Sequence, residues 1–174
     1  MKDWVDYILR FLFYLIGKFL LLIVIVVILV VSFLAAKDYM NINVLIGDGF
    51  SQRASVILKD GDASSLTRIF SEEYIRTDYA LYNDTYDPYI IRSFIQDIDI
   101  SFKLVMPWQK KVTMKTIERI NNIDGEIPSD QVTEDMRESE ILPPSWDNGE
   151  YDVTLERYET TWKITEVEKT KVLN

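Results

Sequence analysis

Phe19–Ala36 reads FLLLIVIVVILVVSFLAA, eighteen residues in which Ser32 carries the only polar side chain, and 138 mostly polar residues follow it. At 1.5 Å rise per residue this stretch spans about 27 Å as a helix, and the apolar flank Phe11–Ile16 brings it up to a hydrocarbon layer of roughly 30 Å. The sequence therefore predicts a single transmembrane helix over 19–36, with a small domain held at a membrane surface.

Working outward, Trp4, Tyr7 and Tyr14 precede the apolar run and Tyr39 follows it, while Lys18 can snorkel toward headgroups. Lys2, Arg10 and Lys18 lie before the run, whereas Lys37 is the only basic residue in the fifteen that follow. The positive-inside bias, reduced slightly by Asp3 and Asp6, places residues 1–18 in the cytoplasm and the C-terminal part outside. The competing reading is a cleaved signal peptide ending near Ala35–Ala36. The run is long for that, and Leu34 is bulky where a small residue is wanted, so retention of the anchor is expected.

There is no cysteine, which excludes disulfides and a lipidated cysteine, so the external domain must hold together by its core alone. Apart from Asp3 and Asp6 among 28 acidic residues, and Lys2, Arg10 and Lys18 among 19 basic ones, every charge lies from Lys37 onward. That part carries a net charge of about −10 and repels phosphate backbones, so no nucleic-acid partner is expected. Its length suits one domain, expected over 48–171, after a juxtamembrane connector at 37–47 and before a tail at 172–174.

Within that domain, Phe50, Ala54, Ile57 and Leu58 follow a helical period. Lys59–Asp62 reads as a turn with Asp62 as a cap, and Ala63–Thr77 as the next helix. Its stripe is Leu66, Ile69, Phe70 and Tyr74, extended by Ile75, with Ser71–Glu73 either facing solvent or starting a second short turn. Asn83–Pro88 is a loop. Tyr89–Met106 alternates: Phe94, Ile98, Ile100, Phe102 and Leu104 share a packing face on which Gln96 is the polar exception, opposite Ile95, Asp97, Asp99, Ser101 and Lys103.

After Pro107–Trp108 the alternation resumes over Val112–Ile120, where Glu118 sits on an otherwise apolar parity and signals a bend or bulge. Residues 123–148 read as a long, partly ordered acidic excursion with a short polar helix over 130–139. Residues 149–157 and 161–167 form a closing hairpin around Tyr158–Thr160, with Trp162, Ile164 and Glu166 on one face and Thr161, Lys163, Thr165 and Val167 on the other.

Helices after an anchor, a long alternating strand pair, and a closing hairpin of Tyr151–Leu155 followed by Thr161–Val167 with its Trp162-Lys163-Ile164 resemble the NTF2-like cone fold. The resemblance covers roughly Asp48–Lys171. It implies an α+β domain in which N-terminal helices pack on a curved, mainly antiparallel sheet; an immunoglobulin-like or cystatin-like sheet is the alternative. That family contains small isomerases and dehydratases as well as inert modules, some membrane-anchored and resembling envelope components of conjugation, type IV secretion or sporulation systems. Its enzymes use His/Asp or Tyr/Asp pairs in a polar pocket, and this chain has no histidine.

Asp97 and Asp99, near Tyr79, Tyr82 or Tyr86, are the remaining acid–base set, but their parity is the solvated one. Without cysteine or histidine, zinc, copper and haem sites are largely excluded. Asp60-Gly61-Asp62 and Asp147-Asn148-Gly149-Glu150 have oxygen ligands without the loop spacing of a calcium site. Gly47-Asp48-Gly49 lacks the further residues of a phosphate cradle, and Asn83-Asp84-Thr85 matches a glycosylation sequon.

No catalytic, cofactor-binding or metal residue is thus assigned and no cofactor is expected. The reading is a membrane-tethered, non-catalytic interaction or scaffold subunit of a bacterial envelope complex. Other membrane or envelope proteins are its partners, with oligomerisation through the domain rather than through a helix lacking a small-residue motif. The alternative is a small-ligand sensor or carrier lined by Tyr74, Phe94, Phe102 or Trp162, and the last choice an enzyme.

Overall fold

The computed structural model describes residues 2–59, 61–132, 136–137 and 141–173. One α-helix, α1 (Lys2–Leu58), opens the chain and is followed by a four-stranded antiparallel sheet, an α+β architecture. The chain divides into two compact units, Met1–Tyr39 with Leu104–Trp108, and Met40–Lys103 with Gln109–Asn174.

In the first unit, the helix is long and apolar enough to cross a membrane, with a mean hydropathy of 3.4 over its best 18-residue window. Only 6% of that window is buried, whereas the core helix of a soluble protein of this composition would be mostly buried. A helix satisfies its own backbone polar groups, so a run this apolar and rich in Ile and Val needs no water to complete its hydrogen bonds.

The second unit begins inside α1. The residues read from sequence as a connector, 37–47, are helical throughout, and Ile42 and Ile46 are fully buried. With Phe50, Ala54 and Leu58 they form a stripe at four-residue spacing, the face that packs on the rest of this unit. Gly49 is there for closeness: a Cβ on it would lie 2.9 Å from Ile69 Cγ2 and 3.0 Å from Ile164 Cδ1. Local propensity, which Gly47 and Gly49 lower, yields to this burial.

The single helix expected over 63–77 is instead a 3₁₀ turn (Ala63–Arg68) and a short α2 (Glu72–Thr77), followed by another 3₁₀ turn at Tyr79–Tyr82. Asp62 caps the first by accepting from Ser64 N at 2.8 Å, and Ser71 caps α2 by accepting from Tyr74 N at 3.2 Å. Ser71 thus starts a second short turn, and Glu72 and Glu73 face solvent as well.

The strands are β1 (Ile90–Ile100), β2 (Lys111–Glu126), β3 (Gly149–Tyr158) and β4 (Thr161–Val172), in spatial order β1-β2-β3-β4. β2 is longer than expected, taking in residues assigned from sequence to the excursion. Of the short helix expected over 130–139, residues 133–135 and 138–139 lie outside the described residues, and 130–132 and 136–137 are not helical.

Along β2, Val112, Met114, Thr116, Glu118 and Ile120 are all buried, as their shared parity requires. The bulge expected near Glu118 falls at Asn121, which the pairing skips between Ile95↔Asn122 and Gln96↔Ile120. A second irregularity lies in β4, where Thr165 is skipped between Thr154↔Glu166 and Leu155↔Ile164. It exchanges the faces beyond it. Trp162 and Ile164 are buried as expected, but Glu166 is exposed and Val167, opposite the buried Val153, takes its place.

β1 ends at Ile100, so Phe102 and Leu104, expected on the packing face, are exposed. Ile95, Asp97 and Asp99 face solvent as their parity requires. Near the start of β4, backbone bonds from Ser71 N to Ile164 O (2.8 Å) and from Ile164 N to Ile69 O (2.9 Å) cover the outer edge. β1 has no strand on its outer side among the described residues.

Candidate functional site

The buried charged groups of the second unit, Arg53 and Glu118, each anchor a small network near a cleft. The first joins α1 to α2. Arg53 points from the buried side of α1 to Asp78, its Nη2 donating to Oδ1 at 3.0 Å and its Nε to Oδ2 at 2.5 Å. Asp78 also accepts from Tyr74 Oη at 3.0 Å and from Ala80 N at 3.2 Å. Four donors meet its two oxygens, about the capacity of a carboxylate.

Burial alone would push the Asp78 carboxyl upward, but the paired guanidinium and the other donors outweigh it and hold the group below its ordinary value. Burial likewise opposes the charge on Arg53, and the Asp78 bond with its neighbours' charges raises the group above its ordinary value instead. Both groups are ionised at neutral pH. Tyr74 is pushed up, mainly by burial, and stays protonated.

The second network centres on Glu118, which is fully buried. Its Oε1 accepts from Gln96 Nε2 at 2.7 Å and its Oε2 from Trp146 Nε1 at 3.2 Å. Gln96 Nε2 lies 3.3 Å from Phe50 O as well, tying the carboxylate to α1. Desolvation raises the Glu118 pKa, against the charge of Arg53 and the two donated hydrogen bonds. The two polar exceptions visible on apolar strand faces, Gln96 and Glu118, thus satisfy each other.

The cleft itself has a volume of about 370 Å³ and is lined by Arg53, Ile57, Tyr79, Tyr86, Trp146 and Tyr151, with Asn83, Thr85, Ser145 and Asp147 among the polar groups at its walls. Tyr86 and Trp146 stack at 6.0 Å and 30°, giving it an aromatic wall. Glu118 is not part of the lining. Arg53 reaches it with its charge already matched by Asp78. Such a space can hold an apolar or flat group and offers it polar contacts.

The residues expected to line a ligand cavity lie elsewhere. Trp162 is buried with Arg157 over its ring at 4.6 Å, Phe94 packs beside the Ala54–Leu58 cluster, Phe102 is exposed, and Tyr74 stacks on Phe70 at 5.0 Å. Asp97 faces solvent, 3.9 Å from Arg119 Nη1.

The oxygen-rich turns serve structure. Asp62 is a cap, and Asp60 lies outside the described residues. Asn148 Oδ1 accepts from Ile120 N at 2.7 Å beside the β2 bulge, while Asp147 pairs with Lys169 and Glu150 with Lys171. Among the described residues no group of three acidic side chains could hold a metal ion. Gly47-Asp48-Gly49 lies inside α1, and Asn83 Oδ1 accepts from Thr85 N and Oγ1, a local turn.

Sequence reasoning found Gln96 and Glu118 as anomalies without joining them, named Tyr86 only beside Asp97 and Asp99, and passed over Arg53, Asp78 and Trp146. A signal existed for Arg53: it falls next to Ala54 on a helix whose buried face includes both. No family model matches this chain, and no curated protein or solved structure matches it significantly.

Proposed function

We propose that this chain is a membrane-tethered, non-catalytic interaction subunit, with its N-terminus in the cytoplasm and its α+β domain outside, where it joins other envelope proteins. The observation that carries the reading is the outer edge of β1. This strand ends the sheet and holds Ile90 and Ile95 at 58% and 62% exposure. An edge strand left uncovered is a template for pairing with another chain, and the exposed Ile90 and Ile95 give a partner apolar surface to bury beside the charged Arg92, Asp97 and Asp99.

The closed state of the buried charges supports the non-catalytic part. The Arg53–Asp78 pair and the Glu118 carboxylate are bonded to their own neighbours, and Glu118 lies outside the cleft lining. The NTF2-like resemblance is supported by helical elements packed against an antiparallel sheet, and the envelope complex of the secretion, conjugation or sporulation kind rests on that resemblance alone. Tethering to the bilayer confines partners to the same membrane and raises their effective concentration.

The test is mild crosslinking of the full chain in its native membrane, comparing the parent with Ile95→Lys. The reading expects a protein adduct from the parent and its loss in the variant, with the variant still membrane-bound and folded. A parent that gives no protein adduct overturns it.

The aromatic cleft favours a second reading, a sensor or carrier for a small apolar or flat molecule. Under that reading an extracted small molecule, rather than a protein, accompanies the purified chain and is lost on Trp146→Ala.

A further inference from the structure

We propose that the β1–β2 loop, Leu104–Trp108, is a second membrane contact, seated in the bilayer interface beside the outer end of the α1 span. The inference rests on the tethered reading of α1. Its starting point is that this loop, and no other segment, groups with Met1–Tyr39 as one compact unit.

Burial within that unit shows where. The apolar helix surface is exposed almost throughout, yet Ala35 is only 5% exposed, and Val105 in the loop is 0% exposed. Ala35 is one residue short of the end of the Phe19–Ala36 run, and its methyl side chain permits a close approach. The loop therefore sits at the level where hydrocarbon gives way to headgroups.

At that level it turns apolar side chains outward: Leu104 and Trp108 are 57% and 68% exposed. Leu and Trp exposed at such a depth are the side chains that partition into an interface, Trp above all. The charge pattern agrees. No acidic residue occurs between Asp99 and Glu118, and Lys103 and Lys110 flank the loop, while Lys111 and Lys115, further along in β2, pair with Glu156 and Asp152, in a chain of net charge −9. Lysines flanking an apolar loop suit anionic headgroups, toward which the rest of the domain is repelled.

Length points the same way. Ten residues, 101–110, connect β1 to β2, where a hairpin needs two to five. A protein partner could cover the same side chains, but the shared unit with the apolar helix and the basic flanks favour lipid.

The absence of cysteine makes the test direct. Full-length chains carrying a single nitroxide at Leu104→Cys, Val26→Cys or Ser129→Cys are reconstituted into vesicles of phosphatidylethanolamine and phosphatidylglycerol. Collision of each label with oxygen and with a water-soluble nickel chelate is then measured. The expected result is oxygen-dominated collision at 104 and 26 and nickel-dominated collision at 129, an exposed position beyond the far end of β2. Nickel-dominated collision at 104 with oxygen-dominated collision at 26 overturns the loop contact while leaving the tether. A label at 104 shielded from both probes overturns it in favour of a protein contact. Nickel-dominated collision at 26 as well overturns both readings.

Discussion

Gln96 Nε2 donates to Glu118 Oε1 at 2.7 Å, joining the one polar side chain on the packing face of β1 to the one carboxylate on the packing face of β2. The bond is diagonal, since Gln96 is paired in register with Ile120 and Glu118 with Ile98. Its meaning is energetic: burial disfavours charge on this carboxyl group, and two donors and the nearby charge of Arg53 offset part of that cost.

Glu118→Gln is expected to fold and Glu118→Ala to lose about 2–4 kcal/mol, because Ala leaves a cavity and strands the Gln96 and Trp146 donors. The pH dependence has a definite sign. The folded Glu118 pKa is raised above its ordinary value of 4.5, so its stabilising contribution is full below that value and is lost as pH rises through the folded pKa. Denaturant midpoints from pH 4 upward should show the parent losing stability relative to Glu118→Gln. A constant difference across that range would contradict the shift.

Asp78→Asn is expected to cost about 3–5 kcal/mol at neutral pH, the effect of leaving a buried guanidinium without its counter-ion. The sign here is opposite to that of Glu118. The folded Asp78 pKa is lowered below 3.8, so its contribution is present above that value and lost as pH falls through the folded pKa. Below that point parent and Asn variant should converge in urea titrations; a gap of unchanged size would show that the pair is not the source.

Two glycines of α1, two residues apart, should respond oppositely. A Cβ on Gly47 meets no atom within 4 Å, so Gly47→Ala should stabilise the domain by up to about 1 kcal/mol through helix propensity. Gly49→Val presses on Ile69, Phe70 and Ile164 and should cost about 1–3 kcal/mol. Thermal unfolding of both variants checks the packing of α1 on β4; equal shifts of the same sign would remove Gly49 from that contact.

Patterns with one period over a long run were legible. The apolar run and the even-numbered face of Val112–Ile120 needed only spacing and hydropathy. Legibility failed where a single extra residue changes parity, as Thr165 does for Glu166 and Val167, and where a strand stops, as β1 does before Phe102 and Leu104. The networks were harder still. Arg53 and Asp78 are 25 residues apart and meet because α2 ends where α1 passes. A composition window cannot show that encounter. Gln96 and Glu118 were visible as misfits, and a misfit on each of two adjacent strands is itself a clue that they pair.

Everything proposed depends on α1 holding the domain on the outer side of a membrane. Protease added to intact cells or protoplasts, followed by detection of the N- and C-terminal ends of the full chain, measures this directly. The account predicts that the domain beyond Ala36 is digested while the cytoplasmic end of the helix is protected. Survival of the domain until the membrane is opened would contradict it.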